Sequence, residues 1–226
     1  MNRVYRLNDL NIKLRIAGFR PLDVLVIGGT GAGKSSTINL LFEKEIVKIG
    51  RQCNPETQNI TSLMINDSLR IWDSPGLGDT TLKDREYTKD LVELLHKVYY
   101  MNHNYYGLID MILIIVNGST KEIGTATSIF KDIVIPNFPL DRVLVAINQA
   151  DMVMKGRHWN KQYNCPDEIL YKKLEENADS VKRRLVEVTK GKIIQPVFYS
   201  AENGYNAEKL LDMIIDNMPQ EKRIIA

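Results

Sequence analysis

The run Leu22–Ile27 (LDVLVI) leads straight into Gly28-Gly29-Thr30-Gly31-Ala32-Gly33-Lys34-Ser35, and this junction constrains the 226-residue chain more than any other feature. A short β-branched apolar run bounded by glycines reads as a buried strand. The glycines let the backbone curl so that successive N–H groups face one point. The residues that follow, Lys34–Phe42, read as a helix whose positive dipole end is directed at the same point. The octet matches G-x-x-x-x-G-K-[ST] at every fixed position, a spelling that cradles phosphate. The expected phosphate contacts are Gly31, Ala32, Gly33, Lys34, Ser35 and Ser36, with Lys34 reaching the β- and γ-phosphates and the Ser35 hydroxyl offered to Mg²⁺.

The rest of the chain alternates in the same way. Asn59–Ile65 and Leu69–Asp73 flank the turn signal Asn66-Asp67-Ser68 and read as a hairpin. Asp84–Tyr100 has helical spacing in Tyr87, Leu91, Leu94 and Val98, and Met111–Val116 is a second apolar strand. Ser119 and Glu122 have capping-box spacing before a helix that Pro136 is expected to end. Arg142–Ile147 reads as a strand, and Leu170 to Val188 as one stripe of a long helix stopped by Gly191. Lys192–Tyr199 reads as a strand and Ala207–Met218 as a last helix. Such alternation means an α/β fold, a mostly parallel six-stranded sheet covered by helices, with ligands bound at the carboxyl ends of its strands. The expected organisation is an N-terminal helical segment, residues 1–20, and one domain over 21–226.

Composition removes several classes of function. Thirty Lys plus Arg against twenty-eight Asp plus Glu leave a net charge of +2, so no broad nucleic-acid-binding surface is indicated. Two cysteines, Cys53 and Cys165, make no disulfide framework and suit a reducing cytoplasm. The longest apolar run is far shorter than the ~20 residues of a spanning helix. Leu7, Leu10, Leu14 and Ala17 share a helical face with basic residues nearby; docking on the chain's own domain is preferred over membrane contact. The tyrosines of Tyr99–Tyr106 are expected to bury rings beside a strand. His96, His103, His158 and Cys165 show no zinc spacing. Met152–Asn164 is either a partner-binding insertion centred on Trp159 or a covered loop.

Three further motifs follow in order, each after an expected strand. Asp73-Ser74-Pro75-Gly76 offers a carboxylate for a Mg²⁺-bound water and the Gly76 N–H for a γ-phosphate, making Leu77–Glu86 a candidate switch. Asn148-Gln149-Ala150-Asp151 resembles the N-[KT]-x-D guanine-reading motif, with Gln149 where lysine is usual and its stem expected over the base. Asp151 can accept from guanine N1–H and N2–H₂. Adenine has no such donor pair, so discrimination is on the order of 10⁴ or more. Ser200-Ala201-Glu202 lies where an S-A-[KL] loop would present the Ala201 N–H to guanine O6.

With these four motifs in sequence, residues 22–218 resemble the translation-factor-related GTPases, and among them the Era/TrmE-like branch with its short prophage-associated bacterial members. The resemblance implies a Ras-like P-loop G domain that binds GTP and GDP, uses Mg²⁺ and couples slow hydrolysis to a conformational switch. It also implies a protein effector of unspecified identity. Mg²⁺ would be held by Ser35, by Thr57 and, through water, by Asp73, with Lys34 as the catalytic cation; Thr57 is preferred over Thr61, which falls inside a strand. Many relatives place a water-orienting glutamine after the D-x-x-G glycine. Leu77 stands there instead, and Gln52, Glu56 and Gln58 are the possible substitutes. Gly31 occupies the position of an asparagine that helps to hold K⁺ in some relatives. Leu77 is also compatible with a different reading, a non-hydrolysing GTP-dependent module that forms homodimers, as in septin- or Toc-type G domains. A kinase or ATPase reading is opposed by Asp151. For the switch reading, purified protein is expected to hydrolyse GTP at about 10⁻⁴–10⁻² s⁻¹ in a phosphate-release assay; fast turnover without a partner would contradict it.

Overall fold

Strand β1 (Leu22–Gly28) is buried at every position and lies inside a six-stranded sheet. The computed structural model describes residues 6–18, 21–42, 60–78, 81–120 and 123–225. The sheet has the order β10-β7-β6-β1-β3-β2, where β2 is Thr61–Asn66, β3 Leu69–Asp73, β6 Met111–Asn117, β7 Val143–Asn148 and β10 Val197–Phe198. All neighbours are parallel except the β2–β3 hairpin. Alternate β1 side chains serve opposite faces, which is why these strands are apolar throughout. Leu25 and Ile27 meet α3 (Thr81–His96), α4 (Gly124–Ser128, continued by Ile129–Val134 and Ile135–Asn137) and α5 (Glu168–Thr189). Val24 and Val26 meet α1 (Leu7–Ala17), α2 (Lys34–Phe42) and α6 (Ala207–Asp216). The mostly parallel six-stranded sheet agrees with the expectation from sequence.

Helix α1 docks on its own domain. Leu10 and Leu14 are buried in the α2–α6 cluster, Arg6 forms ion pairs with Asp212 (2.9 Å) and Asp216 (2.6 Å), and Lys13 Nζ donates to Ile215 O (2.6 Å). Its apolar face is therefore used within the chain.

Several boundaries differ from the sequence reading. Helix α3 ends at His96, and the tyrosine run folds instead as a hairpin of β4 (Val98–Met101) and β5 (Asn104–Gly107). Asn102 and His103 both take positive φ in its two-residue turn, the twist that such hairpins require. Tyr99 and Tyr106 lie under the Lys222 ammonium, while Tyr100 and Tyr105 stack outward with ring centroids 5.1 Å apart. The backbone of Arg223 and Ile225 bonds to the β5 edge. In α4 the helix widens to π geometry over Ile129–Val134, so Pro136, which has no N–H to give, sits inside the last turn rather than ending it at its start. The left-handed cap of α5 is Lys190, not Gly191, and only Val197–Phe198 of the expected strand 192–199 joins the ladder. Helix α6 stops at Asp216, before Met218. Residues 152–166 fold as turns with a small ladder, β8 (Trp159–Asn160) against β9 (Cys165–Pro166). Half-buried Trp159 packs edge-on against Tyr205, which favours the covered-loop reading. Glu122 and Cys53 lie outside the described residues.

At the sheet end opposite the glycine loop, buried Asp23 accepts from Arg70 Nη2 (2.9 Å) and Trp72 Nε1 (2.6 Å), and its own N–H donates to Asp110 Oδ2 (2.9 Å). Burial pushes the Asp110 carboxyl up to about 7, and the Asp23 charge adds to the rise against the Asp23 N–H bond, Lys222 and Arg142. An unfolded aspartate titrates near 3.9. Folding therefore favours the protonated form, and this contribution to stability is lost as pH rises from about 4 through 7. Asp110→Asn is expected to flatten stability against pH between 4 and 8 by on the order of 4 kcal/mol, read by denaturant melts; parallel curves for the two proteins would contradict this.

Candidate nucleotide site

The carboxyl ends of β1, β3, β6, β7 and β10 open on one face, and the polar residues singled out from sequence follow them. In the glycine loop, Gly31 (φ +73°) and Gly33 (φ +86°) are left-handed, and a Cβ at Gly33 would come within 2.1 Å of Asn148 Nδ2. Lys34 is buried, and its Nζ donates to Gly28 O (3.0 Å) and Gly29 O (3.2 Å), folding the ammonium over the loop. Ser35 and Ser36 stand exposed at the start of α2, whose first turn carries no acid to offset the dipole. Thr37 Oγ1 donates to Gly33 O (2.7 Å) and lies 2.5 Å from the buried Tyr199 hydroxyl.

Asp73 ends β3 beside this loop. Burial raises the pKa of its carboxyl, opposed by the Lys34 charge and by hydrogen bonds from the Ser35 hydroxyl and Ser74 N–H. Its Oδ1 is buried with no hydrogen-bond partner among the described residues. A hydroxyl and an orphaned carboxylate oxygen are hard donors of the kind Mg²⁺ takes together with water and phosphate, so these residues fit that ion. Gly76 is pressed against the loop: a Cβ there would be 2.5 Å from Thr30 Oγ1. Next to it, Thr30 N–H donates to Leu77 O (2.8 Å) and Leu77 N–H to Gly28 O (3.3 Å), a two-bond clip between the D-x-x-G segment and the glycine loop. The Leu77 side chain is buried in the α3–α4 core. Thr57, Gln52, Glu56 and Gln58 lie outside the described residues.

Beyond β7, buried Asn148 uses both ends of its carboxamide. Nδ2 donates to Ala32 O (3.0 Å), and Oδ1 accepts from Ala201 N–H (3.0 Å). The amide expected to face guanine O6 is thus engaged by Asn148 in this structure. Gln149, at φ 62°, sends Nε2 to Gly31 O (2.9 Å), and its Oε1 accepts from the Ser119 hydroxyl (2.9 Å). Its amide bonds the loop instead of standing free over a base. The Ser200 hydroxyl accepts from Asn203 N–H (3.2 Å) and Nδ2 (3.0 Å), bracing its own turn. Asp151 is half-exposed, and among the described residues nothing hydrogen-bonds its carboxylate. Sequence reasoning missed Asn117, Ser119, Thr37 and Tyr199. Asn117, a polar end to an apolar strand paired in register with Asn148, was the one signal available for them.

A glycine loop between a parallel strand and a helix, with an aspartate ending the adjacent strand, defines a Ras-like P-loop nucleotide-binding domain. A family model described as "50S ribosome-binding GTPase" matches residues 23–149, and the chain belongs to this family of small P-loop GTPases. Mouse interferon-gamma-inducible GTPase 10 is 35% identical in an 85-residue alignment that covers 31% of this chain and 18% of that protein; the chain spans under a fifth of this curated relative. Among solved structures, Toc33 of Arabidopsis thaliana in complex with GDP and Mg²⁺ superposes with a TM-score of 0.64 at 18% identity, covering 99% of this chain and 94% of that one. A probable GTP-binding protein, EngB, gives 0.56 at 18% over 86% and 97%. Era of Aquifex aeolicus bound to GDP and aluminium fluoride gives 0.55 at 18% over 89% and 58%. At these identities the superpositions show a shared fold. No described helix is long and apolar enough to cross a membrane.

Removing the Asn148 carboxamide strands a buried carbonyl and a buried N–H at once. Asn148→Ala is expected to cost about 1–3 kcal/mol of stability in denaturant melts and to weaken GDP binding more than tenfold in calorimetry; wild-type values for both would contradict the bridging role.

Proposed function

We propose that the chain is a guanine-nucleotide switch of the Era/TrmE-like branch, akin to its short prophage-associated members, that hydrolyses GTP slowly to GDP and phosphate. The observation that carries this reading is the Asn148 carboxamide, which joins the glycine loop at Ala32 to the Ser200-Ala201 loop. That tie supports a phosphate cradle and a base-reading loop held at one spacing.

In this reading, Gly31, Ala32 and Gly33 N–H groups and the α2 N-terminus hold phosphate oxygens, and Ser36 lies beside the α-phosphate. Lys34 leaves the Gly28 and Gly29 carbonyls to neutralise charge on the transferring phosphoryl group. Gly76 N–H senses the γ-phosphate. The Asp151 carboxylate reads guanine N1–H and N2–H₂, while Asn148, Gln149 and Ser200 hold the loop that carries Ala201. Presenting the Ala201 N–H to O6 requires that N–H to be shared with, or released from, Asn148. Mg²⁺ would be held by Ser35, by Thr57 and, through water, by Asp73, and when bound it offsets phosphate charge. Leu77, turned into the core, supplies no group to orient water, which supports slow turnover that rises when a protein effector completes the site. The buried Leu77 also supports the second reading, a non-hydrolysing module that forms homodimers when GTP is bound.

Lys34→Ala is expected to lower GTP affinity or turnover at least a hundredfold, and Asp151→Asn to shift preference from guanine to xanthine nucleotides, both measured by competition binding and phosphate release. Unchanged turnover in the first variant would remove the phosphate-loop assignment. Unaltered guanine selectivity in the second would remove the base-reading one. Absence of turnover in wild type at every protein concentration, with GTP still bound, would favour the assembly module.

A further inference from the structure

Next to the loops that hold the nucleotide site, but on the α4–α5 side of the sheet, lies a cleft of about 410 Å³. One wall is a face of α5 carrying Lys173, Asn177, Ser180 and Arg184 at helical spacing. The second is the loop after β6, with Asn117 and Ser119, and the third is the start of the 152–164 segment, with Val153 and Lys155. Among the described residues the lining contains three cations and no carboxylate, in a chain whose net charge is only +2. Lys173 also bonds Glu176 Oε2 (2.9 Å), an exposed i,i+3 pair. The floor between the cations is apolar, formed by Ile123, Ile147 and Val181. Three cations lining one cleft favour an anionic ligand, and the apolar floor asks for a body attached to it. The size and the enclosure by three elements suit a small molecule rather than a protein segment.

We infer that this cleft, walled by Lys155, Lys173 and Arg184, is a second ligand site, for a small organic phosphate with a flat or apolar body. The site gives the 152–164 segment a role, since that segment contributes one cation and part of one wall. The cleft is also wired to the first site. The Ser119 hydroxyl on its rim lies 2.7 Å from Asn117 Oδ1 and 2.9 Å from Gln149 Oε1, and Gln149 in turn bonds Gly31 O. A phosphate that takes the Ser119 hydroxyl releases Gln149 and, through it, the glycine loop. This coupling rests on the guanine-nucleotide reading above; the binding itself does not.

Adenosine 5′-monophosphate, pyrophosphate and adenosine are titrated by calorimetry into protein saturated with GDP and Mg²⁺, and the same titrations are run on the Lys34→Ala variant without GDP. The expected result is one saturable site for adenosine 5′-monophosphate with a dissociation constant below about 1 mM, present in both proteins. Pyrophosphate and adenosine should bind at least tenfold more weakly. The Lys155→Ala/Arg184→Ala double variant should lose tenfold or more in that affinity while holding GDP within twofold of wild type. Ser180→Trp, which fills the cleft from α5, should block the site with an unchanged circular dichroism spectrum. In NMR spectra, the Ser119, Gln149 and Gly31 amides should shift together on titration. Absence of saturation, equal binding of pyrophosphate, or full affinity in the double variant would each overturn the proposal. Failure to bind GDP at all would instead strike the guanine-nucleotide reading, and the Lys34→Ala titration would still report on the cleft. Saturation without any shift at Gln149 would overturn the coupling.

Discussion

The glycine loop and the loops that follow β7 and β10 are arranged around one buried carboxamide. Asn148 gives its Nδ2 to Ala32 O and takes the Ala201 N–H on Oδ1, so the ends of β1, β7 and β10 are joined by a single side chain. The same group explains the glycine at position 33, because no Cβ fits where the Asn148 amide lies. A second tie runs behind it, from Gly33 O through the Thr37 hydroxyl to Tyr199. Two polar links thus join the glycine loop to the residues that follow β10. Buried hydrogen bonds are strong in that setting, and leaving one unmade is costly.

The D-x-x-G segment is held differently. Its attachment is backbone to backbone, Leu77 against Gly28 and Thr30, with Gly76 packed directly on Thr30. A displacement of Gly76 therefore acts on the glycine loop through contact and not through a flexible side chain. Asp73, a few residues back, keeps one carboxylate oxygen buried beside Ser35 and Lys34 with no hydrogen-bond partner among the described residues. An electrostatic demand for a cation is thus built into the strand end where the segment begins. The apolar Leu77 side chain contributes to the core and leaves the chemistry to other groups.

The architecture was largely legible in the sequence because parallel strands are buried on both faces and read as unbroken apolar runs, as in Leu22–Ile27 and Met111–Val116. What escaped depends on partners distant in the chain. Val98–Met101 carries both helical and alternating character, and what favours the hairpin is Lys222 seated on Tyr99 and Tyr106, more than a hundred residues away. The π-widened turn before Pro136 and the left-handed Lys190 likewise follow from packing and not from local propensity. For the site, spacing located Asn148, Gln149, Ser200 and Ala201 at the carboxyl ends of strands but did not reveal which groups their polar atoms bond. A motif fixes where a residue sits along the chain; what its polar atoms touch is decided by the strands that bring the loops together.

The central claim is that this face chooses guanine over adenine nucleotides. Calorimetric titration of the wild-type chain with GDP and with ADP, each in millimolar Mg²⁺, tests it most directly. One GDP site is expected, with an ADP affinity lower by on the order of 10⁴. Equal affinity for the two, or no binding of GDP by folded protein, would contradict it.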